Sequence, residues 1–141
     1  MEDCVFCRIV KGTTPVSIVY SDERIMAFLD IQPISPGHVL VIPKAHAARL
    51  SDLDKETGAH MFETAMHVAA ALERSEVRLE GVNLFLADGE AAGQDIFHVH
   101  LHVIPRFKGD GFRIDCGPGY GLKPDRRELE MVASKIREAL R

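Results

Sequence analysis

In the stretch "HVHLHV" histidines stand at 98, 100 and 102, with Val99, Leu101 and Val103 between and after them. Successive side chains of a β-strand point to opposite faces, so this alternation aims three imidazoles one way and three apolar side chains the other. Imidazole is nearly half charged close to neutrality, and in its neutral form one ring nitrogen can attack phosphorus or ligate a metal. One ion shared by all three is strained: extended Cα atoms 98 and 102 lie about 13 Å apart, against metal–nitrogen bonds of about 2.0–2.1 Å. The triad therefore divides its work.

Ligands for a metal occur elsewhere. Cys4 and Cys7 supply two thiols at a common zinc-ligand spacing, and "IPKAH" places His46 just after a strand. A Cys₂His₂ site then needs one more imidazole, for which His98 at the start of its strand is the natural candidate. A lone Cys-x-x-Cys also suits a redox pair. His100 and His102 remain for chemistry. A hydrogen bond from one ring nitrogen to a backbone carbonyl would hold the other nitrogen unprotonated for attack, and the attacked phosphate would need donors. The backbone N–H groups of "AAGQD" and the side chains of Gln94 and His102 can supply them.

These residues need a scaffold. At 141 residues, 46% hydrophobic and 27% charged, the chain reads as one soluble domain with a single core. Asp3 can cap a helix through "CVFCRIV" that Gly12 ends. "VSIVY" (16–20), "RIMAFLD" (24–30) and "HVLVIP" (38–43) read as antiparallel strands, since no crossover helix fits between them. From about 54 to 76 the period is helical, with Phe62, Ala65, Met66, Ala69 and Leu72 as its apolar stripe and His60 and His67 on the other side. "VNLFLA" (82–87) and "FHVHLHVIP" (97–105) complete the sheet. Asp125 and Glu128 open a last amphipathic helix carrying Leu129, Val132, Ala133, Ile136 and Leu140. The expectation is an α+β fold: a five-stranded, mainly antiparallel sheet with one long central helix and shorter N- and C-terminal helices.

A net charge of −4 with scattered basic residues leaves no footprint for polymeric DNA or RNA, and no apolar run approaches the ~20 residues that span a membrane. Met1 leads into Glu2 and Asp3 without a secretory pattern, and three cysteines make a poor disulfide framework. A cytoplasmic protein is expected.

"CVFCRIV", "AFLDIQPISPGHVLVIPKAH" and "AAGQDIFHVHLHVIPR", in this order, resemble the histidine triad (HIT) family over about residues 3 to 107. The resemblance implies a HIT domain over 1–107, with 108–141 as a loop and helix packed on it, and a two-fold homodimer through the long helix and a sheet edge. It implies nucleotide hydrolases and transferases in which the middle histidine, here His100, attacks the α-phosphate to form a nucleotidyl-histidine, and His102 contacts the phosphate. Gly93, Gln94 and Asp95 would lie beside that phosphate. A purine nucleoside would sit among Val5, Phe6, Ile9, Phe28, Leu29 and Ile31, with Asp30 on the ribose hydroxyls. Cys4, Cys7, His46 and His98 would hold a structural zinc. Asp95 stands where many phosphoramidase relatives have Ser or Thr, and Ala87 where Gln or Asn is frequent; both bear on the leaving group.

The substrate expected is a purine nucleoside phosphoramidate, with dinucleoside polyphosphates as the alternative. Two rivals stand beside it: a metal-dependent hydrolase using His98 and His100 as catalytic ligands, and a nucleotide-sensing or partner-binding domain without chemistry.

Overall fold

The computed structural model describes residues 3–140 and divides into two compact units, Met1–Gly111 and Phe112–Arg141. In the first, a short helix, α1 (Val5–Lys11), precedes strands β1 (Ile18–Ser21), β2 (Ile25–Leu29) and β3 (Val39–Pro43). A long helix, α2 (Lys55–Arg74), then leads to β4 (Gly81–Phe85) and β5 (Leu101–Arg106). The strands form one antiparallel sheet in the order β1-β2-β3-β5-β4. The second unit carries α3 (Arg126–Ala139), whose cap Asp125 accepts the Glu128 N–H at 2.9 Å as expected. Five antiparallel strands with three helices make the α+β fold read from the sequence.

Strand alternation builds two cores. Ile25, Ala27, Val39, Val41, Val99, Leu101 and Val103 pack against Met61, Ala65, Val68 and Leu72 of α2. On the other face Met26, Phe28, Leu40 and Ile42 pack against Phe6 and Ile9 of α1. Burying these apolar side chains between α2 and the sheet contributes on the order of 20 kcal/mol before the opposing chain entropy is counted.

Several elements depart from the sequence reading. Asp3 does not cap α1; Cys4 holds the cap position without a side-chain hydrogen bond to the helix, its thiol turned toward His98 instead. Gly12 ends α1 at φ +82°, as expected. The buried stripe of α2 runs Met61, Ala65, Val68, Leu72, while Phe62 and Met66 are exposed, because the helix carries two apolar stripes and periodicity alone does not say which meets the sheet. The last strand starts at Leu101 rather than 97, so His98 and His100 lie in the extended lead into it. Pro43, two residues beyond the Val41–Leu101 pair, has no N–H to donate, and its carbonyl accepts from His98 Nε2 at 2.7 Å. A bond from Val99 N–H to the Ala47 carbonyl at 2.8 Å ties this lead to the segment that follows β3.

The turn before β3 uses Gly37 at φ +94°, where a Cβ would stand 2.8 Å from Val77 Cγ1. Only glycine fits both the backbone and that contact, and it delivers His38 into the sheet.

Candidate functional site

The four expected metal ligands converge. Ligand atoms of Cys4, Cys7, His46 and His98 all lie within 4.8 Å of one another. Cys4 Sγ is 3.4 Å from His98 Nδ1, Cys7 Sγ 3.3 Å from His46 Nδ1 and 3.6 Å from His98 Nδ1. A tetrahedral zinc with its usual bond lengths separates sulfur and nitrogen by about 3.5 Å, so these spacings fit the ion. The proton inventory fits too. His98 Nε2 faces a carbonyl, which only accepts, so the proton sits on Nε2 and the Nδ1 lone pair is turned to the sulfurs, the outer-shell arrangement that orients zinc-bound histidines. Three free cysteines, with no disulfide between Cys4 and Cys7, agree with a ligand set.

The next two histidines face a cavity of about 430 Å³ on the α1 side of the sheet. His100 is 5% exposed, and its Nδ1 donates to the His98 carbonyl at 2.8 Å. Nε2 therefore carries the lone pair and has no hydrogen-bond partner among the described residues. This is the tautomer that attack on phosphorus requires. Phe6 meets both rings edge-on, with centroids 5.7 Å from His98 and 5.1 Å from His100, and so fixes their planes.

His102 is held by a residue the sequence reading missed. His38, 2% exposed, accepts the Ile34 N–H on Nδ1 at 3.1 Å and lies 2.9 Å from His102 Nδ1 through its own Nε2. A neutral His38 thus keeps its proton on Nε2 and donates it to His102, which leaves His102 presenting Nε2–H as a donor. Burial lowers His38, and burial with the neighbouring His100 and His38 pushes His102 down to about 4, so both are neutral near pH 7. Asp30 Oδ2 lies 3.7 Å from His38 Nε2. Asp30, His38 and His102 are also close enough for a metal, but the Ile34 donor puts a proton on the nitrogen an ion would need. The trio is a hydrogen-bonded chain. Its sequence signal was register: Leu40 pairs with His102, and His38, two residues earlier, shares that face.

Val5, Phe6, Ile9, Phe28, Leu29, Asp30, Ile31 and Asp95, which the resemblance assigns to the nucleotide, line one cavity together with Ile34, Leu40 and Ile96 among others. Gly93 and Gln94 do not line it. Gln94 is buried under the loop: its Oε1 accepts from Gly89 N–H at 2.7 Å, and its Nε2 donates to the Ala48 carbonyl at 2.7 Å and the Ile96 carbonyl at 3.1 Å. The Gly93 and Gln94 N–H groups are also committed, to the carbonyls of Glu90 and Gly89. Gln94 is thus a loop staple and not the phosphate donor expected. The next N–H groups, of Asp95 and Ile96, have no partner among the described residues and belong to residues on the cavity wall.

Residues 11–109 match the HIT domain family. "Adenylylsulfatase HINT3" of Arabidopsis thaliana is 38% identical over 133 residues, spanning 94% of this chain and 67% of that protein. A zinc-bound histidine triad family protein from Mycobacterium smegmatis superposes with TM-score 0.76 at 39% identity, covering 98% of both chains. A histidine triad nucleotide-binding protein from Candida albicans gives TM-score 0.86 at 30% identity over 98% of this chain and 97% of that one. With the ordered motifs, the antiparallel sheet and a domain match over most of its length, the chain belongs to the histidine triad (HIT) family.

Proposed function

We propose that this chain hydrolyses or transfers purine nucleotide derivatives of the nucleoside phosphoramidate type, with His100 as nucleophile. The carrying observation is the His100 ring, buried, with Nδ1 spent on a carbonyl and Nε2 open to the cavity. Nε2 forms a bond to the α-phosphorus while the bond to the leaving group breaks, the electron pair going to the departing atom, which takes up a proton. Water then attacks the nucleotidyl-histidine, loses a proton, and releases His100 and the nucleoside monophosphate. His102 Nε2–H and the Asp95 and Ile96 N–H groups are the donors for the phosphate oxygens. Apolar walls bury the base, and Asp30 accepts from the ribose hydroxyls.

The names of the Arabidopsis and Candida proteins support a nucleotide substrate, and the former favours a second reading in which the leaving group is sulfate. In the same proposal Cys4, Cys7, His46 and His98 bind zinc, which supplies a cross-link between the N-terminal helix and the catalytic segment. The chain works in the cytoplasm as a homodimer through exposed Phe62 and Met66 and the edge strand β4.

Incubation with nucleotide labelled in the base or α-phosphate, followed by acid quench, tests the chemistry. Label is trapped on the native protein and not on His100→Ala, whose turnover falls by at least a thousandfold. Native-like turnover by His100→Ala excludes the covalent route, and binding without turnover of any leaving group favours the sensing domain.

A further inference from the structure

Cys4 and Cys7 enclose two residues that belong to the cavity. Val5 and Phe6 stand between them and both line its wall. Phe6 is buried, and its ring lies edge-on to Phe28 at 5.6 Å and to His100 at 5.1 Å between centroids. In close-packed surroundings, a shift of the two sulfurs relative to each other carries this ring with it, and with it the edge that fixes the His100 plane.

The sulfurs are placed to react with each other. Their Sγ atoms lie within 4.8 Å, neither is in a disulfide, and both residues are half-exposed, so a small oxidant reaches them. Cys4 is the N-cap of α1 and Cys7 stands one turn on. That spacing puts Cβ atoms about 5–6 Å apart, where a disulfide needs about 3.5–4.5 Å. The first turn must therefore give by about 1–2 Å for the bond to close, and no side-chain cap at Cys4 resists it. The far end of α1 is held, since Ile9 is buried in the core and Gly12 N–H is bonded to the Arg8 and Ile9 carbonyls. The displacement falls on residues 4 to 7.

We propose that Cys4 and Cys7 form a reversible thiol–disulfide switch laid over the metal site, set by peroxide and reset by a dithiol. One thiolate attacks a peroxide oxygen and becomes a sulfenic acid as the O–O bond breaks, and the departing hydroxide takes up a proton. The other thiolate attacks that sulfur, the S–S bond forms, and a second hydroxide leaves and is protonated. Each sulfur gives up one electron and the peroxide takes both, so two thiols and one hydrogen peroxide become one disulfide and two waters. Disulfide sulfurs are no longer thiolates, which leaves His46 and His98 as the ligands of the set, too few for a four-coordinate zinc. A dithiol of the thioredoxin class reverses the bond by exchange. The switch goes beyond the catalytic reading: the metal site reports oxidation to the cavity through Phe6.

Zinc-loaded protein carrying Cys116→Ser, which removes the exposed third thiol, is treated with equimolar hydrogen peroxide. Non-reducing peptide mass spectrometry should find a Cys4–Cys7 bond within one chain, and a chromogenic chelator should register the zinc released. Hydrogen exchange should quicken over residues 5–11 and stay unchanged in α2. Adenosine monophosphate should bind about tenfold more weakly, the order of one lost aromatic contact, and dithiothreitol with zinc should restore every readout. Thiols that stay reduced, or that pass to sulfinic acid without an S–S bond, overturn the switch. A disulfide that leaves both exchange over residues 5–11 and nucleotide affinity unchanged overturns its link to the cavity. If adenosine monophosphate binds neither form, the nucleotide reading fails on its own, and exchange over residues 5–11 and 98–100 decides the link.

Discussion

At the scale of single residues, the chemistry of this site is set by where ring protons sit. Two backbone groups, the His98 carbonyl and the Ile34 N–H, decide the tautomers of three imidazoles: His100 presents a lone pair, while His38 hands a proton to His102 and makes it a donor. Removing His38 leaves His102 free to rotate and to choose the wrong tautomer. His38→Ala therefore lowers kcat by about ten- to a hundredfold with a smaller effect on KM, the usual result of misplacing a reacting group. His38→Gln, whose amide N–H reaches toward the same acceptor, recovers part of the loss; steady-state kinetics of both variants is the check. The same burial couples the site to pH. His38 and His102 have folded values depressed below the unfolded value near 6.5, so the unfolded chain binds more protons below that pH. Their contribution is fully present above about pH 6.5 and is lost as pH falls toward about 4, where folded His102 takes up its proton. Urea midpoints measured at pH 7.5, 6 and 5 should fall more steeply for the native protein than for His102→Asn.

Between elements, the Cys4, Cys7, His46 and His98 cluster offers what a short helix lacks alone. Seven residues make α1 too short to be stable by itself, and its start lacks a side-chain cap. Packing of Phe6 and Ile9 and a zinc ion between Cys4, Cys7, His46 and His98 would hold it over the histidine segment, and with it one wall of the cavity. Metal analysis should find one zinc per chain. Chelation should lower the unfolding midpoint and raise the number of reactive thiols from one, the exposed Cys116, to three. An unchanged melting curve after complete chelation would argue against the cross-link. A second tie lies outside the site: Asp22 accepts from Tyr20 Oη at 2.7 Å and from the Arg24 and Ile25 N–H groups at 2.8 Å, and His60 Nε2 is 2.6 Å away, joining α2 to the β1–β2 turn. These bonds hold Asp22 well below the usual carboxylate range.

For the whole molecule, apolar surface remains where a monomer has no use for it. α2 buries one stripe and exposes Phe62 and Met66, and the edge strand β4 exposes Leu84 and Phe85 beside unpaired backbone groups. A second copy applied to these surfaces would cover both. Sedimentation should give a dimer at micromolar concentration, and the double change Phe62→Asp with Met66→Asp should shift it toward monomer. A native chain that sediments as a monomer at every concentration removes the dimer from the proposal.

Much of this molecule was legible in its residues. Local rules act over a few positions, so strand alternation, the Gly12 stop and the Asp125 cap could be read directly. The Cys4, Cys7, His46 and His98 set was read from a common zinc-ligand spacing together with the family resemblance, since a lone Cys-x-x-Cys also suits a redox pair. What the sequence left open depended on partners distant along the chain. Register placed His38 beside His102 across 64 positions. Competition for donors and acceptors drew Gln94 into the loop and left the next backbone N–H groups, of Asp95 and Ile96, without partners among the described residues. Which of two apolar stripes on α2 meets the sheet was likewise a tertiary choice, since both satisfy the helical period and only packing distinguishes them.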